Sequence, residues 1–332
     1  MVRKGGAVAR ILVLVMTLCL VWSAVALAQQ PRIAFIPKNL GNPFFDAVYK
    51  GIQEAAAELG YATVYIGPPT ADPASQIPFI QQQVTQQVTA IIISANDANT
   101  VAPALRAAMQ RGIIVIAVDA DAAVDARQAY IQPVDFNTIG AEQVRLMAQL
   151  INYEGEIAIL SATTTAPNQN FWIEGMRQEL AKPEYSRMKL VRIAYGDDEP
   201  QKSYRETEAL LAAYPNLRGI ISPTTVGIAA AAQALETSGA ANRVQLTGLG
   251  LPNQMRSYVK NGTVTAFQLW DPAEMGYAAV HLVDAIRKGF EPAPGKTYSA
   301  GKLGQRTFLE NNVVIAGPLT TFTAENIDNY DF

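Results

Sequence analysis

The side chains best suited to chemistry in this chain are those that hold a ligand, not those that transform one. Lys38, Asp119 and Asp271 offer charge, Asn168, Gln169 and Asn170 offer amides, Pro223-Thr224-Thr225 offers hydroxyls, and Phe44, Phe45, Trp172 and Trp270 offer aromatic faces. A carboxylate accepts two hydroxyl hydrogen bonds at once, and charge strengthens each of them. An amide presents a donor and an acceptor to a vicinal diol. An aromatic face packs against the C–H side of a sugar ring. The mixture suits a neutral, polyhydroxylated small molecule. Covalent and metal chemistries have little to draw on. His281 is the single histidine and Cys19 the single cysteine in 332 residues. No two-histidine metal site can form, a structural zinc lacks ligands, and a triad hydrolase would have to use His281 as its base. A formal charge of −3 gives no electrostatic case for nucleic acid. Asp197-Asp198 and Asp271 are carboxylates of the type a glycosidase uses, but their placement gives that chemistry no support.

These residues follow apolar runs that read as buried parallel strands. The first series has strands at Arg32 to Ile36, Thr63 to Ile66, Ala90 to Ser94 and Ile113 to Val118, with a short fifth at Tyr130-Ile131. Between them lie helical patterns. Asn42 is a candidate N-cap with Pro43 at the first helical position, and Gly60 suits the C-terminal cap. Asp72-Pro73 opens the next helix. A second series has strands at 157–160, 189–194, 219–222, 244–247 and 264–269, and helices near 137–151, 168–181, 202–213, 226–237, 252–260 and 273–288. A Gly/Pro-rich stretch at 289–304, a strand at 313–315 and a segment near 323–330 close the chain. Alternation of this kind predicts an α/β fold, with two doubly wound parallel-sheet lobes and a hinge at the short crossing 132–135. In such sheets ligands bind beyond the carboxyl ends of the strands, where Lys38, Asp119, Asn168 to Asn170, Asp197-Asp198, Pro223 to Thr225 and Trp270-Asp271 fall.

Each residue also has a plainer role open to it. Lys38 could be a solvated loop residue and Asp119 the cap of a turn. Phe44 and Phe45 are adjacent, so only one of them is expected to face the cleft. At least one of Asn168, Gln169 and Asn170 is expected to cap the helix that they open. Trp270 could be core, and Asp271-Pro272 reads as a helix start. Gly248-x-Gly250 lacks the third glycine of a dinucleotide fingerprint and reads as a tight turn.

Residues 1–28 read as an export signal. Arg3, Lys4 and Arg10 form a basic region, Ile11 to Ala28 is uncharged, and Ala26-Leu27-Ala28 is a cleavage site. An uncleaved anchor is the alternative. Cleavage after Ala28 lowers Lys+Arg from 26 to 23 against 29 Asp+Glu, a charge of −6, and removes the single cysteine. No internal disulfide is then possible.

Several motifs resemble a known family. I-A-F-I-P-K (Ile33 to Lys38), G-N-P-F-F-D (Gly41 to Asp46), V-D-A-D (Val118 to Asp121) and T-G-L-G-L-P (Thr247 to Pro252) are similar to those of type I periplasmic sugar-binding proteins of ABC importers, over essentially the whole mature chain. Within that family S-A-N-D (Ser94 to Asp97), A-I-L-S-A-T-T-T (Ala158 to Thr165), N-Q-N-F-W (Asn168 to Trp172), Y-G-D-D (Tyr195 to Asp198), K-S-Y-R-E (Lys202 to Glu206) and P-T-T-V-G (Pro223 to Gly227) resemble the rhamnose-binding group. The resemblance implies two Rossmann-like lobes joined by three crossovers and closing on a ligand. The lobes would be 29–133 with about 271–300, and 134–270 with about 301–332. The autoinducer-2-binding group is also similar. It contacts its ligand at positions matching Lys38, Asp119, Gln169 and Pro223, but has Asp where this chain has Asn168 and Ala where it has Thr225. Ribose-binding relatives share N-P-F-F at 42–45 and Asp119, but have Arg in place of Ala120 and Asp in place of Gly250. Those smaller residues are expected to leave room for a larger ring or a methyl group. The implied ligand-binding set is Lys38, Asn42, Phe44, Phe45, Asp119, Asn168, Gln169, Asn170, Pro223, Thr225, Trp270 and Asp271. The implied protein is a periplasmic, monomeric carrier of a small-molecule sugar, with an ABC permease in the inner membrane as partner. It would need no cofactor, metal or nucleic acid. A receptor for autoinducer-2 is the alternative.

Overall fold

Ile33, Ala34, Phe35 and Ile36 have no exposed surface, as expected of a strand covered by helices on both faces. The computed structural model describes residues 30–332, so the export signal and the cleavage after Ala28 lie outside the described residues. The first sheet contains β1 (Arg32–Ile36), β2 (Ala62–Tyr65), β3 (Ala90–Ile93), β4 (Ile114–Val118) and β5 (Ala129–Gln132). Helices α1 (Pro43–Leu59), α2 (Ile77–Thr85) and α3 (Ala98–Gln110) connect the first four strands. The order is β2-β1-β3-β4-β5, every pair parallel, and β13 (Val313–Ile315) adds a sixth strand beside β5.

The second series is built alike. Helix α4 (Phe136–Leu150) leads to β6 (Gly155–Ser161), α5 (Pro167–Leu180), β7 (Met188–Tyr195), α6 (Pro200–Ala213), β8 (Leu217–Ser222), α7 (Thr225–Thr237), β9 (Gln245–Gly248) and α8 (Pro252–Lys260). Its parallel sheet has the order β7-β6-β8-β9. In both sheets the second strand of the series lies outside the first and the third inside it. The chain therefore reverses its winding direction between β1 and β3, and again between β6 and β8. Such a switch point opens a crevice at the carboxyl ends of the strands.

Helix α1 shows how local sequence sets an element. The Asn42 side chain accepts from the Phe44 N–H at 3.1 Å, Pro43 holds the first helical position, and Gly60 ends the helix at φ 77°. Helix α9 (Pro272–Arg287) lies directly against α1. A Cβ on Gly51 would sit 1.9 Å from the Ala273 carbonyl oxygen, and one on Gly276 2.1 Å from that of Val48. Only glycine permits this approach.

Three segments differ from the sequence expectation. The helix after Asp72-Pro73 begins only at Ile77, because Gln76 is occupied elsewhere. Its buried amide donates to the Pro37 and Ser94 carbonyls and accepts from the Asn96 N–H, tying together the loops after β1 and β3. The strand expected at 264–269 is β10 (Phe267–Leu269). It meets β9 only through a bridge between Leu249 and Gln268, and pairs antiparallel with β14 (Thr320–Phe322). The Gly/Pro-rich stretch holds β11 (Thr297–Ser299), which forms an antiparallel pair with β12 (Gln305–Thr307) just beyond it. The segment 301–332 thus supplies β13 to the first sheet and β14 to β10 of the second series.

Candidate functional site

The carboxyl ends of both sheets converge on one buried cluster. Lys38, two residues past β1, places Nζ 3.0 Å from Asn168 Oδ1 and 3.5 Å from Asp119 Oδ2. Asp119 follows β4 directly and adopts φ 61°, a left-handed conformation that short polar side chains tolerate. The Tyr130 hydroxyl donates to its backbone carbonyl at 2.5 Å. Its carboxylate accepts from Ser94 Oγ at 2.9 Å and from Asn168 Nδ2 at 3.0 Å. Lys38, Asp119 and Asn168 are each no more than 4% exposed. A lysine and a carboxylate taken out of water together demand such additional partners. The plainer roles for Lys38 and Asp119, solvated loop and turn cap, do not describe these positions.

Asn168 and Gln169 come from the first turn of α5. Gln169 Oε1 accepts from Ser161 Oγ at 2.6 Å and from the Ala162 N–H at 2.7 Å, which ties that turn to the end of β6. None of the three amides occupies the cap position of α5, although Asn168 Oδ1 also accepts from the Gln169 N–H of the first turn at 3.0 Å. The cap position is Ala166, whose side chain makes no capping bond, with Pro167 behind it. Asn170 is exposed, donates to the Thr164 carbonyl at 2.9 Å, and is not part of the cavity wall.

Aromatic rings form another wall. Phe44 stands edge-on to Trp270 at 6.2 Å, Trp270 to Trp172 at 5.9 Å, and Trp172 to Phe136 at 5.1 Å. Both Phe44 and Phe45 line the cavity, although only one was expected to. They occupy the first turn of α1, where side chains project past the helix end, and Phe45 also packs on Phe35 at 6.2 Å. The indole Nε1 atoms of Trp172 and Trp270 are buried with no hydrogen-bond partner among the described residues. Buried donors are seldom left unpaired, and both of these belong to residues of the cavity wall. Asp271 is not in that wall. Its side chain accepts from the Ala273 N–H at 2.8 Å and caps α9, so the helix-start alternative describes it.

Asn42, Pro223 and Thr225 complete the expected residues that line the cavity. Trp172, Asp198, Thr224, Leu249 and Leu269 also line it. The sequence offered Trp172, Asp198 and Thr224 as candidates outside the implied ligand-binding set, and gave Leu249 and Leu269 no ligand role. Asp198 carried a signal, since it stands just past β7. It and Asp197 both take left-handed backbone, at φ 53° and 54°. Thr224 Oγ1 donates to Asp198 Oδ1 at 2.5 Å. Burial pushes the Asp198 carboxyl up from its ordinary range, against the pull of Lys38 and the Thr224 hydrogen bond. Ala120 and Gly250 do not line the cavity. The space beside Gly250 is filled by Met255 and Phe267, so their small size does not enlarge the site. About 40 Å3 is open between the walls, room for a few waters, because Lys38, Asn168 and Asp119 touch one another directly.

Among the described residues no cluster of His, Cys, Asp and Glu could hold a metal ion, and no helix is long and apolar enough to cross a membrane. Residues 33–291 match the family described as Periplasmic binding protein domain. The chain belongs to the periplasmic binding protein family. A sugar ABC transporter structure from Actinomyces odontolyticus is 44% identical, with a TM-score of 0.73, over 91% of this chain and 98% of its own. An ABC transporter solute-binding protein from Clostridium phytofermentas, with bound L-rhamnose, is 32% identical over the same shares, with a TM-score of 0.87. LsrB from Clostridium saccharobutylicum in complex with AI-2 is 26% identical, with a TM-score of 0.86, over 91% of this chain and all of its own. The periplasmic binding protein described here is a substrate-binding protein of the sugar ABC importer type, and not an enzyme.

Proposed function

We propose that this periplasmic binding protein carries L-rhamnose to an ABC permease of the inner membrane. The observation that supports this most is the buried trio of Lys38, Asp119 and Asn168 facing an aromatic wall with two unpaired indole donors. Its carboxylate, amide and ammonium match the hydroxyls of a pyranose, and the Trp270 and Phe44 rings match its C–H face. Leu249 and Leu269, in the same wall, suit the methyl group that distinguishes a 6-deoxyhexose. The similarity to the rhamnose-bound protein of Clostridium phytofermentas favours the same sugar. The two sheets act as lobes that part at the crossings near 132–135, 269–272 and 315–320, and the sugar's hydroxyls replace the direct contacts among Lys38, Asn168 and Asp119 on closure. The chain works as a monomer, exported by residues 1–28 and cut after Ala28.

A second proposal is an autoinducer-2 receptor, favoured by the likeness to LsrB and by Lys38, Asp119, Gln169 and Pro223 sharing the cavity. Asn168 and Thr225, the two departures from that group, lie in the same wall and weigh against it. Titration calorimetry of the mature protein with L-rhamnose, D-ribose, D-allose and AI-2 tests both. We expect heat with L-rhamnose at micromolar affinity, about −8 kcal/mol. Binding of AI-2 and no sugar would replace the first proposal with the second, and no heat with any of the four would overturn both.

A further inference from the structure

The loop after β7 carries two adjacent carboxylates in opposite surroundings. Asp197 is half-exposed and pairs with Lys202 of α6. Asp198 is 6% exposed and lines the cleft. The loop that holds them is fixed to the end of β6. The Gly196 N–H donates to the Ser161 carbonyl at 2.8 Å, and the Asp197 N–H to that of Ala162 at 2.9 Å. Those are the two residues that Gln169 also grips. We propose that Asp198 is a specificity-determining residue of the cleft, whose Oδ2 accepts a hydrogen bond from one hydroxyl of the bound sugar. This rests on the reading of the cleft as a sugar site.

The two oxygens of Asp198 are not equivalent. Oδ1 accepts from Thr224 Oγ1. Oδ2 forms no hydrogen bond among the described residues and, unlike the indole nitrogens of Trp172 and Trp270, is not shut off from accessible surface. Asp198 also borders an open groove outside the cleft, but the neighbours of its carboxyl belong to the cleft. Thr224 lines the cleft and not the groove, and so do Lys38, which attracts the carboxylate, and Asp119, which repels it. Keeping a carboxylate this far from water is costly unless its oxygens find donors. A prop for Thr224 would need only one oxygen, and an asparagine would supply it without the charge. The second oxygen is left for a donor that arrives with the ligand, and a charged acceptor strengthens that bond. Asp119 ends a strand of the first sheet and Asp198 one of the second, so the sugar is gripped by a carboxylate from each side. A site that holds a hydroxyl in this way discriminates against a ligand that lacks it, because the buried acceptor then goes unpaired.

Titration calorimetry of the mature protein and of its Asp198→Asn variant tests the assignment. The ligands are L-rhamnose and its three mono-deoxy analogues, each lacking one ring hydroxyl other than the anomeric one. Asparagine keeps an acceptor for Thr224, tolerates left-handed backbone and replaces the Oδ2 acceptor with a donor. We expect the substitution to weaken L-rhamnose by about tenfold or more, the worth of one hydrogen bond to a charged group. One deoxy analogue, missing the hydroxyl that Asp198 holds, should bind both proteins equally, while the other two lose affinity as L-rhamnose does. Thermal unfolding without ligand should show the variant at least as stable as the unaltered protein. A residue that only props the loop gives another pattern. Equal losses for all four sugars, or a variant that melts at a lower temperature, overturns the proposal and leaves the cleft a sugar site. Unchanged affinity for L-rhamnose does the same. No heat from any of the four sugars with the unaltered protein overturns this assignment and the L-rhamnose proposal together.

Discussion

Two asparagines sit where α1 and α5 begin, one on each side of the cleft, and they do different work. Asn42 turns back on its own helix and accepts from the Phe44 N–H. Asn168 also accepts from the Gln169 N–H of its own helix, but it reaches out as well, accepting from Lys38 Nζ and donating to Asp119, two residues far from it in sequence. Both stand beside a proline at a helix start, but Asn42 precedes Pro43 as the cap and Asn168 follows Pro167. The rest of the difference comes from what lies opposite. Asn42 has a free helix N–H within reach, as a cap residue should. Asn168 lies one residue inside its helix, after Pro167, and faces a buried lysine and carboxylate that need partners in addition to the helix N–H it accepts from. One asparagine therefore stabilises an element and the other joins the two halves of the molecule.

Substitutions can break that contrast. The largest effect is expected at the group on which Asn168 and Lys38 converge. Asp119→Ala should weaken L-rhamnose binding by about a hundredfold or more, since removing one partner of a buried pair costs about 3–5 kcal/mol. Calorimetry reads the loss while circular dichroism shows the fold retained, and unchanged affinity would remove Asp119 from the site. Next comes Asn168→Leu, expected to weaken L-rhamnose by about tenfold, the worth of about one hydrogen bond. Asn42→Ala should behave the other way round. Loss of the cap lowers the unfolding free energy by about 1 kcal/mol, measured by urea denaturation, with a smaller change in affinity than Asn168→Leu produces. If Asn42→Ala proves the more damaging to binding and Asn168→Leu the more damaging to stability, the contrast fails.

The smallest effect concerns Asp198. Because burial raises its carboxyl, the folded protein holds that proton to higher pH than the unfolded chain does. Stability contributed by the protonated form is present at low pH and is lost as pH rises through the raised value. Asp198→Asn, which also tolerates left-handed backbone, should raise the unfolding temperature at pH 7, with the gain shrinking as pH falls into the ordinary carboxylate range. Scanning calorimetry at both pH values checks this, and a gain independent of pH would mean that ionisation of Asp198 is not its source.

Much of the site could be read from the chain because strand ends are local features. Lys38, Asp119, Gln169 and Pro223 each follow an apolar run that could only be a buried strand. Asp271 and Asn170 belong to the same expected set but do not line the cavity, for a related reason. Both stand at a strand end or helix start as the binding residues do, but Asp271 points at its own helix and Asn170 at the Thr164 carbonyl. Trp172 was offered as an aromatic face but stayed outside the implied ligand-binding set, because an aromatic residue on a helix face packs into a core as readily as it lines a cleft. The true start of α2 was hidden by Gln76, whose three hydrogen bonds run to loops 18 to 39 residues away.

The sequence by itself determined the alternation of strands and helices, the residues that end the strands, and the absence of any histidine or cysteine cluster, because each depends on residue type and spacing along the chain. Tertiary structure decided which of those strand-end groups meet. Lys38 and Asn168 are 130 residues apart, and only the packing of two sheets with the same strand order brings ammonium and amide to 3.0 Å. It also decided that α9, late in the chain, lies on α1, since the glycines that allow it have meaning only once both helices are in place. Burial is a property of the assembled molecule, and burial is what turns a lysine, an aspartate and an asparagine into a site.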